Sequence, residues 1–356
     1  MSEQVNPSVA HLLLQGTVIP AHPLALNADL TINEVRQKLL TKYYLASGAG
    51  GIAVGVHTTQ FEIRQPQINL LETVYRLAAE EIESSQLTRP FIKVAGICGP
   101  TEQAVTEARL AVKYGYHYGL VSMGGLAGET EAALIKRAQA IATVIPVFGF
   151  YLQPAVGGRL LSYEFWRSFA EIPNVHAIKV AAFNRYQTLD VVRAVCNSSR
   201  RDEIALYTGN DDNIVADLLT PYRFQVNGAM HEKRFVGGLL GHWAVWTTKA
   251  VELFQEIKNC VANEYAGAEK LLSKGVEVTD MNAVIFDVNH SFRGCIAGIH
   301  EVLRRQGLLE GTWCLSPGER LSPGQSEEID RVCNMYHPFT DDEFVKTLLQ
   351  DNKASL

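Results

Sequence analysis

The sequence predicts a (β/α)8 TIM barrel with an additional C-terminal helical region. Two observations carry this. Eight short apolar runs alternate with helical patterns over about 250 residues, the layout of an α/β barrel. No GxGxxG follows the first run and no P-loop occurs anywhere, which disfavours a nucleotide-binding doubly wound sheet.

Thr17-Val18-Ile19-Pro20 opens the series, and a helix over 32–47 follows, with Thr31 and Glu34 in capping-box spacing. Strand two spans 51–54, with its helix over 70–83. Strand three spans 91–95 and leads to an alanine-rich helix over 101–114. Strand four spans 119–121, with a helix over 130–142. Strand five, 146–150, is followed by a helix over 163–170, and strand six, 175–180, by one over 188–196. Strand seven spans 204–207 and precedes a short helix after Asp212. Strand eight spans 235–240 and precedes a helix over 246–260. The tail reads as helices near 277–288, 297–306, 326–336 and 341–350, with Ser322-Pro323-Gly324-Gln325 and Thr340-Asp341-Asp342-Glu343 as helix starts. The expected organisation is a barrel over 1–260 and a helical extension over 261–356 packed on it.

Composition narrows the function. The chain has 356 residues, 47% hydrophobic and 20% charged, as ordinary globular proteins do. Lysine and arginine number 32 against 38 acidic residues, a net charge of −6 that disfavours general nucleic-acid or anionic-membrane binding. Cys98, Cys196, Cys260, Cys295, Cys314 and Cys333 form no CxxC pair, so neither a disulfide framework nor a zinc ribbon is expected. The uncharged stretch 140–158 contains Pro146, Gln153 and Pro154, which reads as a buried strand and loop and not as a membrane span. The N-terminal residues show no signal-peptide pattern, and the expected location is the cytoplasm.

Barrel enzymes place their chemistry at the C-terminal ends of the strands. Lys179 is the most informative residue there, because it interrupts the apolar run Ile178-Lys179-Val180. Burial penalises an ammonium ion, and the neutral amine it favours is the nucleophile that a carbonyl substrate needs. The competing reading is a lysine paired with a carboxylate, and Lys93 on strand three has a similar setting. Tyr151, 28 residues earlier, offers a phenol for proton transfer, or packs as a core tyrosine. Thr58 and Thr59 offer hydroxyls and backbone amides for a carboxylate, or form a threonine-rich turn. Asn210, Asp211 and Asp212 suit a polar substrate, or Asp211 caps the next helix. The metal signal is weak. A His22–His57 pairing at the barrel mouth is the one arrangement to weigh, and no metal site is expected.

In their order, these segments resemble the dihydrodipicolinate synthase/N-acetylneuraminate lyase superfamily of class I Schiff-base aldolases. The resemblance runs over about 17–257. Its elements are Val54-Gly55-Val56-His57-Thr58-Thr59, Val94-Ala95-Gly96 with Gly115-Tyr116-His117-Tyr118-Gly119-Leu120-Val121, Phe150-Tyr151-Leu152-Gln153-Pro154, and Ile178-Lys179 with Gly209-Asn210-Asp211-Asp212. The resemblance implies that Lys179 forms an imine with a 2-oxo acid such as pyruvate, with Tyr151 beside it. It implies that Thr58 and Thr59 bind the carboxylate, that His57 stands beside them, and that Asn210 lines the pocket. No cofactor is implied beyond the lysine itself. The implied partners are a small 2-oxo acid, an aldehyde, and further copies of the chain in a homodimer or homotetramer.

Two departures stand out. His57 replaces the family's glycine before the threonine pair, and Ser122-Met123-Gly124-Gly125-Leu126 lacks the tyrosine pair that follows strand four in the synthases. The reading is therefore a lyase or aldolase of divergent type. An oxo-sugar-acid dehydratase, a non-catalytic oxo-acid-binding protein and a metal-dependent enzyme using His22 and His57 are its alternatives.

Overall fold

The computed structural model describes residues 5–352. In chain order the elements are α1 (Pro7–Gln15), β1 (Val18–Pro20), α2 (Glu34–Ala46), β2 (Gly51–Val54), α3 (Leu71–Ser84), β3 (Ile92–Ile97), α4 (Thr101–Lys113), β4 (Tyr118–Val121), α5 (Glu131–Ala142), β5 (Val147–Leu152), α6 (Tyr163–Ala170), β6 (Val175–Ala181) and α7 (Arg185–Cys196). There follow β7 (Ala205–Thr208), α8 (Ile214–Leu219), β8 (Tyr222–Val226), β9 (Ala229–Lys233), β10 (Phe235–Leu240), α9 (Thr247–Ala262), α10 (Ala268–Ile285), α11 (Cys295–Arg305), α12 (Gln325–Met335) and α13 (Asp342–Asp351). Eight strands form one sheet in the order β1-β10-β7-β6-β5-β4-β3-β2, and the fold is a (β/α)8 barrel with further C-terminal helices. Strands β8 and β9 form a separate antiparallel hairpin in the connection before the last barrel strand.

The packing divides into two compact units that are not consecutive in sequence. Among the described residues, one holds 5–17 and 90–239, the other 18–89 and 240–352.

In the first unit, β3 to β7 pair in parallel, each with its sequence neighbour. Covered on both faces, these strands read as continuous apolar runs without alternation. Every residue of β4, β5 and β7 is buried. On β5, Phe148 and Phe150 project to one face. The site of a Cβ at Gly149 is 2.6 Å from Phe169 on α6, which marks the opposite face. Trp166 and Phe169 on α6 are fully buried, as is Phe165 within 2%, and each such side chain contributes about 1.5–3 kcal/mol by leaving water. Side-chain caps start the helices: Thr130 for α5, Ser162 for α6 and Asn184 for α7. Helix α1 lies outside the predicted pattern. Asn6 caps it, Pro7 occupies its first turn, and the Leu13 carbonyl accepts the Tyr207 hydroxyl at 2.9 Å.

In the second unit, α2 is capped by Asn33, whose Oδ1 accepts the Arg36 amide at 3.0 Å; the predicted Thr31–Glu34 box does not form, and Thr31 instead bonds Asp29 and Asn27. The C-terminal helices pack on this first part of the chain. The Tyr43 hydroxyl donates to Asp341 at 2.7 Å and accepts the Thr247 amide, and Arg36 donates to the Gly307 carbonyl. Among the described residues no helix is long and apolar enough to cross a membrane.

Candidate active site

Lys179 is the fifth of seven residues on β6, near the strand's C-terminal end. Its register partners are Phe150 on β5 and Tyr207 on β7. The side chain is buried, and its Nζ stands 4.5 Å from the centroid of the Phe150 ring. Burial pulls its pKa down from the usual 10.5 to about 8, and the Asp211 carboxylate opposes part of that shift. The amine is thus held in a dry, aromatic setting with one acidic neighbour that acts on it.

Gly209, just past β7, makes room for the lysine. A Cβ at Gly209 would fall 2.4 Å from Lys179 Cε and 3.0 Å from its Cγ. The Gly209 amide donates to the Val180 carbonyl at 2.7 Å, so the backbone of this glycine lies directly along the lysine stem. Lys93 is held differently. It is the second residue of β3, at the strand's N-terminal end, and its Nζ donates to the Tyr114 carbonyl at 3.4 Å. Position along the strand separates the two lysines, although their sequence surroundings are alike.

Tyr151 lies on the strand next to Lys179 but faces the helix layer. Its ring packs on Trp166 at 5.2 Å, and its hydroxyl stands 3.4–3.5 Å from the backbone of Leu161. Because side chains alternate across a strand, Phe150 and not Tyr151 shares a face with Lys179. The expectation of a phenol beside the amine is corrected accordingly. Burial raises the Tyr151 pKa, which keeps the phenol protonated.

Asn210 is fully buried and spends its side chain on the fold. Its Oδ1 accepts the Phe183 amide at 2.9 Å, and its Nδ2 donates to Asp217 at 2.9 Å and Thr188 at 3.3 Å. That corrects the expectation of a pocket-lining amide. Asp211 is buried but does not cap α8, whose N-cap position is Asn213. Ser122 Oγ accepts the Gly124 amide, and Met123 is buried with its sulfur 3.5 Å from the Arg137 guanidinium.

In the other unit, His57, Thr58 and Thr59 form a short 3-10 turn after β2. Thr59 is committed to that turn. Its Oγ1 donates to the His22 carbonyl at 2.7 Å and accepts the amides of Gly55 and Val56. Thr58 is less committed, with one bond of 3.3 Å to the same carbonyl. His57 packs its ring 6.0 Å from Phe61. His22 is fully buried, with Nε2 on Thr41 and Nδ1 on the Pro23 carbonyl and Gln37, and burial lowers its pKa to about 4. Its ring nitrogens are thus engaged, which removes it from the suggested histidine pair. Among the described residues no group of three or more His, Cys, Asp or Glu is placed to hold a metal ion.

Sequence reasoning missed Phe150, Gly209 and Asp217. A glycine directly after a strand, between two hydrogen-bonding residues, was the available signal for Gly209. Nothing local marks Asp217, whose neighbours come from four other segments.

The sequence matches no protein-family model, and no curated protein matches it significantly. Solved structures match in fold. Dihydrodipicolinate synthase from Oceanobacillus iheyensis superposes with a TM-score of 0.73 at 16% identity, over 93% of this chain and 99% of that one. A dihydrodipicolinate synthase from Bacillus anthracis gives 0.71 at 17% identity, over 90% and 97%. N-acetylneuraminate lyase from Fusobacterium nucleatum gives 0.68 at 17% identity, over 92% and 100%. At such identities the likeness is one of fold.

Proposed function

We propose that this chain is a divergent member of the dihydrodipicolinate synthase/N-acetylneuraminate lyase superfamily, a Schiff-base lyase or aldolase acting on pyruvate or a related 2-oxo acid. One observation carries the reading. A buried lysine with a pKa lowered to about 8 stands near the end of a barrel strand, over an aromatic face. The fold likeness to both enzyme types and the motif order in the sequence support it.

In this scheme the neutral Nζ of Lys179 attacks the ketone carbon of the oxo acid. The carbinolamine loses water to give a protonated imine. That cation draws the electrons of the neighbouring C–H bond, a proton leaves, and an enamine forms. The enamine carbon bonds to an aldehyde, or the reverse sequence expels one, and water then releases the product from the lysine. Asp211, whose charge acts on the amine, takes the role of proton acceptor and donor that Tyr151 is not placed to fill. The Phe150 face stabilises the cationic imine. The resemblance assigns the oxo acid's carboxylate to Thr58 and Thr59. Of the two, Thr58 has the hydroxyl that can be recruited at little cost. Thr58→Val is expected to raise KM for the oxo acid more than it lowers kcat. A homodimer or homotetramer is the assembly the resemblance implies.

The test is borohydride reduction in the presence of pyruvate and a series of longer 2-oxo acids, followed by peptide mass spectrometry. A reduced adduct on Lys179 is expected. No adduct with any oxo acid would overturn the reading.

A further inference from the structure

We infer that Asp217, on α8, is a positioning residue for Lys179, acting through the backbone of Gly209. The inference rests on the lysine chemistry proposed above and adds the device that holds the nucleophile in place.

Asp217 is fully buried, and five side chains converge on its carboxylate. Oδ2 accepts the Thr208 hydroxyl at 2.7 Å and the Asn210 amide at 2.9 Å. Oδ1 accepts Asn213 at 3.1 Å, the Tyr222 hydroxyl at 3.2 Å and the guanidinium of Arg185. Thr208 and Asn210 are the residues on either side of Gly209, so one oxygen grips both flanks of the glycine. The lysine stem lies where the Gly209 side chain would be, so a shift of this backbone by a few tenths of an ångström is felt at Cε. The next residue along the chain, Asp211, is the carboxylate whose charge acts on the amine. Asn210 extends the grip to the loop after β6 by accepting the Phe183 amide, at a residue held with a φ of 50°. Tyr222 belongs to the β8–β9 hairpin, which gives that hairpin a place in the same network.

A buried carboxylate is costly to desolvate unless its acceptor positions are filled. Here they are filled by the segments that frame the lysine. Losing the charge weakens all five contacts together, because each donor loses an ionised acceptor. The groups to consider in a titration of Lys179 are Asp211 from the loop after β7 and Tyr207 on β7; β5 presents the Phe150 ring. Around Asp217 itself stand Arg185, Asp212 and Tyr222.

The experiment compares wild type, Asp217→Asn and Gly209→Ala. Two readouts are used: the rate of borohydride-trapped adduct with pyruvate, and the pH midpoint for acetic anhydride labelling of Lys179, read by mass spectrometry. In Asp217→Asn, trapping is expected to slow about tenfold or more and the labelling midpoint to move up towards that of an ordinary lysine. Gly209→Ala, which strikes the stem directly, should do the same. If Asp217→Asn lacks a cooperative melt, Thr208→Val is measured in its place. A folded Asp217→Asn with wild-type labelling and trapping overturns the inference. A wild type that labels with a low midpoint but traps no oxo acid overturns the proposed reaction. The labelling arm still decides the role of Asp217 in that case: a midpoint raised in the variant supports it and an unchanged one refutes it.

Discussion

Lys179 and Phe150 face each other as register partners on adjacent strands, with the amine 4.5 Å from the ring centroid. An aromatic face attracts a cation much more strongly than it attracts a neutral amine. The contact therefore favours the protonated imine, while burial disfavours the free ammonium ion. Phe150→Leu keeps the apolar burial and removes the ring. Trapping of the imine is expected to fall about 5- to 30-fold, the range for a desolvated cation–π contact of ~1–2 kcal/mol, with KM little changed. Stopped-time reduction with borohydride measures it.

The pH dependence follows from the lowered pKa of Lys179. Only the neutral amine attacks a ketone, so trapping should rise with pH and level off above about 8. An ordinary lysine would keep rising until near its usual 10.5. At pH 8 the shift makes about half of the amine neutral, in place of well under 1%. A trapping profile that climbs without a break past pH 9.5 would contradict the burial of this group.

The same shift has a cost in stability. The folded pKa lies below the unfolded one, so the folded state resists a proton that the unfolded chain accepts. The penalty is full below about pH 8 and disappears as pH rises through 10.5, the unfolded value. Its size is on the order of 3 kcal/mol. Lys179→Met should therefore raise stability at pH 7 by about 1–3 kcal/mol, abolish trapping, and flatten the stability profile between pH 8 and 10.5. Denaturant unfolding from pH 7 to 10.5 checks the two stability effects, and borohydride trapping checks the third.

Tyr151 supplies a sharp contrast. Its hydroxyl is turned to the Leu161 backbone and its ring to Trp166. Tyr151→Phe is expected to change trapping and turnover less than about threefold. A proton-transfer role would cost 100-fold or more, since general acid–base catalysis contributes about that much. Steady-state kinetics of the variant distinguishes the two.

Glu319 gives a prediction that does not depend on Lys179. It accepts the amides of Ile296 and Ala297 at the start of α11, yet burial lifts its pKa from 4.5 to about 7. A carboxyl with a raised folded pKa supports the fold below its unfolded pKa and loses that support as pH passes its folded value. Stability should thus decline between about pH 4.5 and 7 through this group. Glu319→Gln keeps an acceptor for both amides and should raise Tm at pH 8 relative to wild type, with no gain at pH 4.5.

The barrel is legible in the sequence because its strands are buried on both faces and its helices carry a polar side. The period change between them is visible without any contact being known. The orientation of Tyr151 is not legible, because a strand's faces alternate and a one-residue difference in register exchanges them. A spacing of 28 residues places Tyr151 on the right strand and leaves its face undetermined. The commitment of Asn210 is hidden for another reason. Its partners Phe183, Thr188 and Asp217 come from three segments that only the fold assembles. Lys179 could be singled out early because a charge inside an apolar strand is anomalous wherever the strand lies.

The interleaving of the two units has a consequence for how the chain is made. Residues 18–89 leave the ribosome before residue 240 does, yet they share one compact unit with the residues from 240 onward. Tyr43 and Asp341, joined by one hydrogen bond, are 298 positions apart. The first two strand–helix repeats must wait, partly unsheltered, until the segments beyond residue 240 have been synthesised. Nascent-chain chaperones would be expected to engage that early segment, and a chain halted near residue 240 should be far more sensitive to protease there than over its middle third.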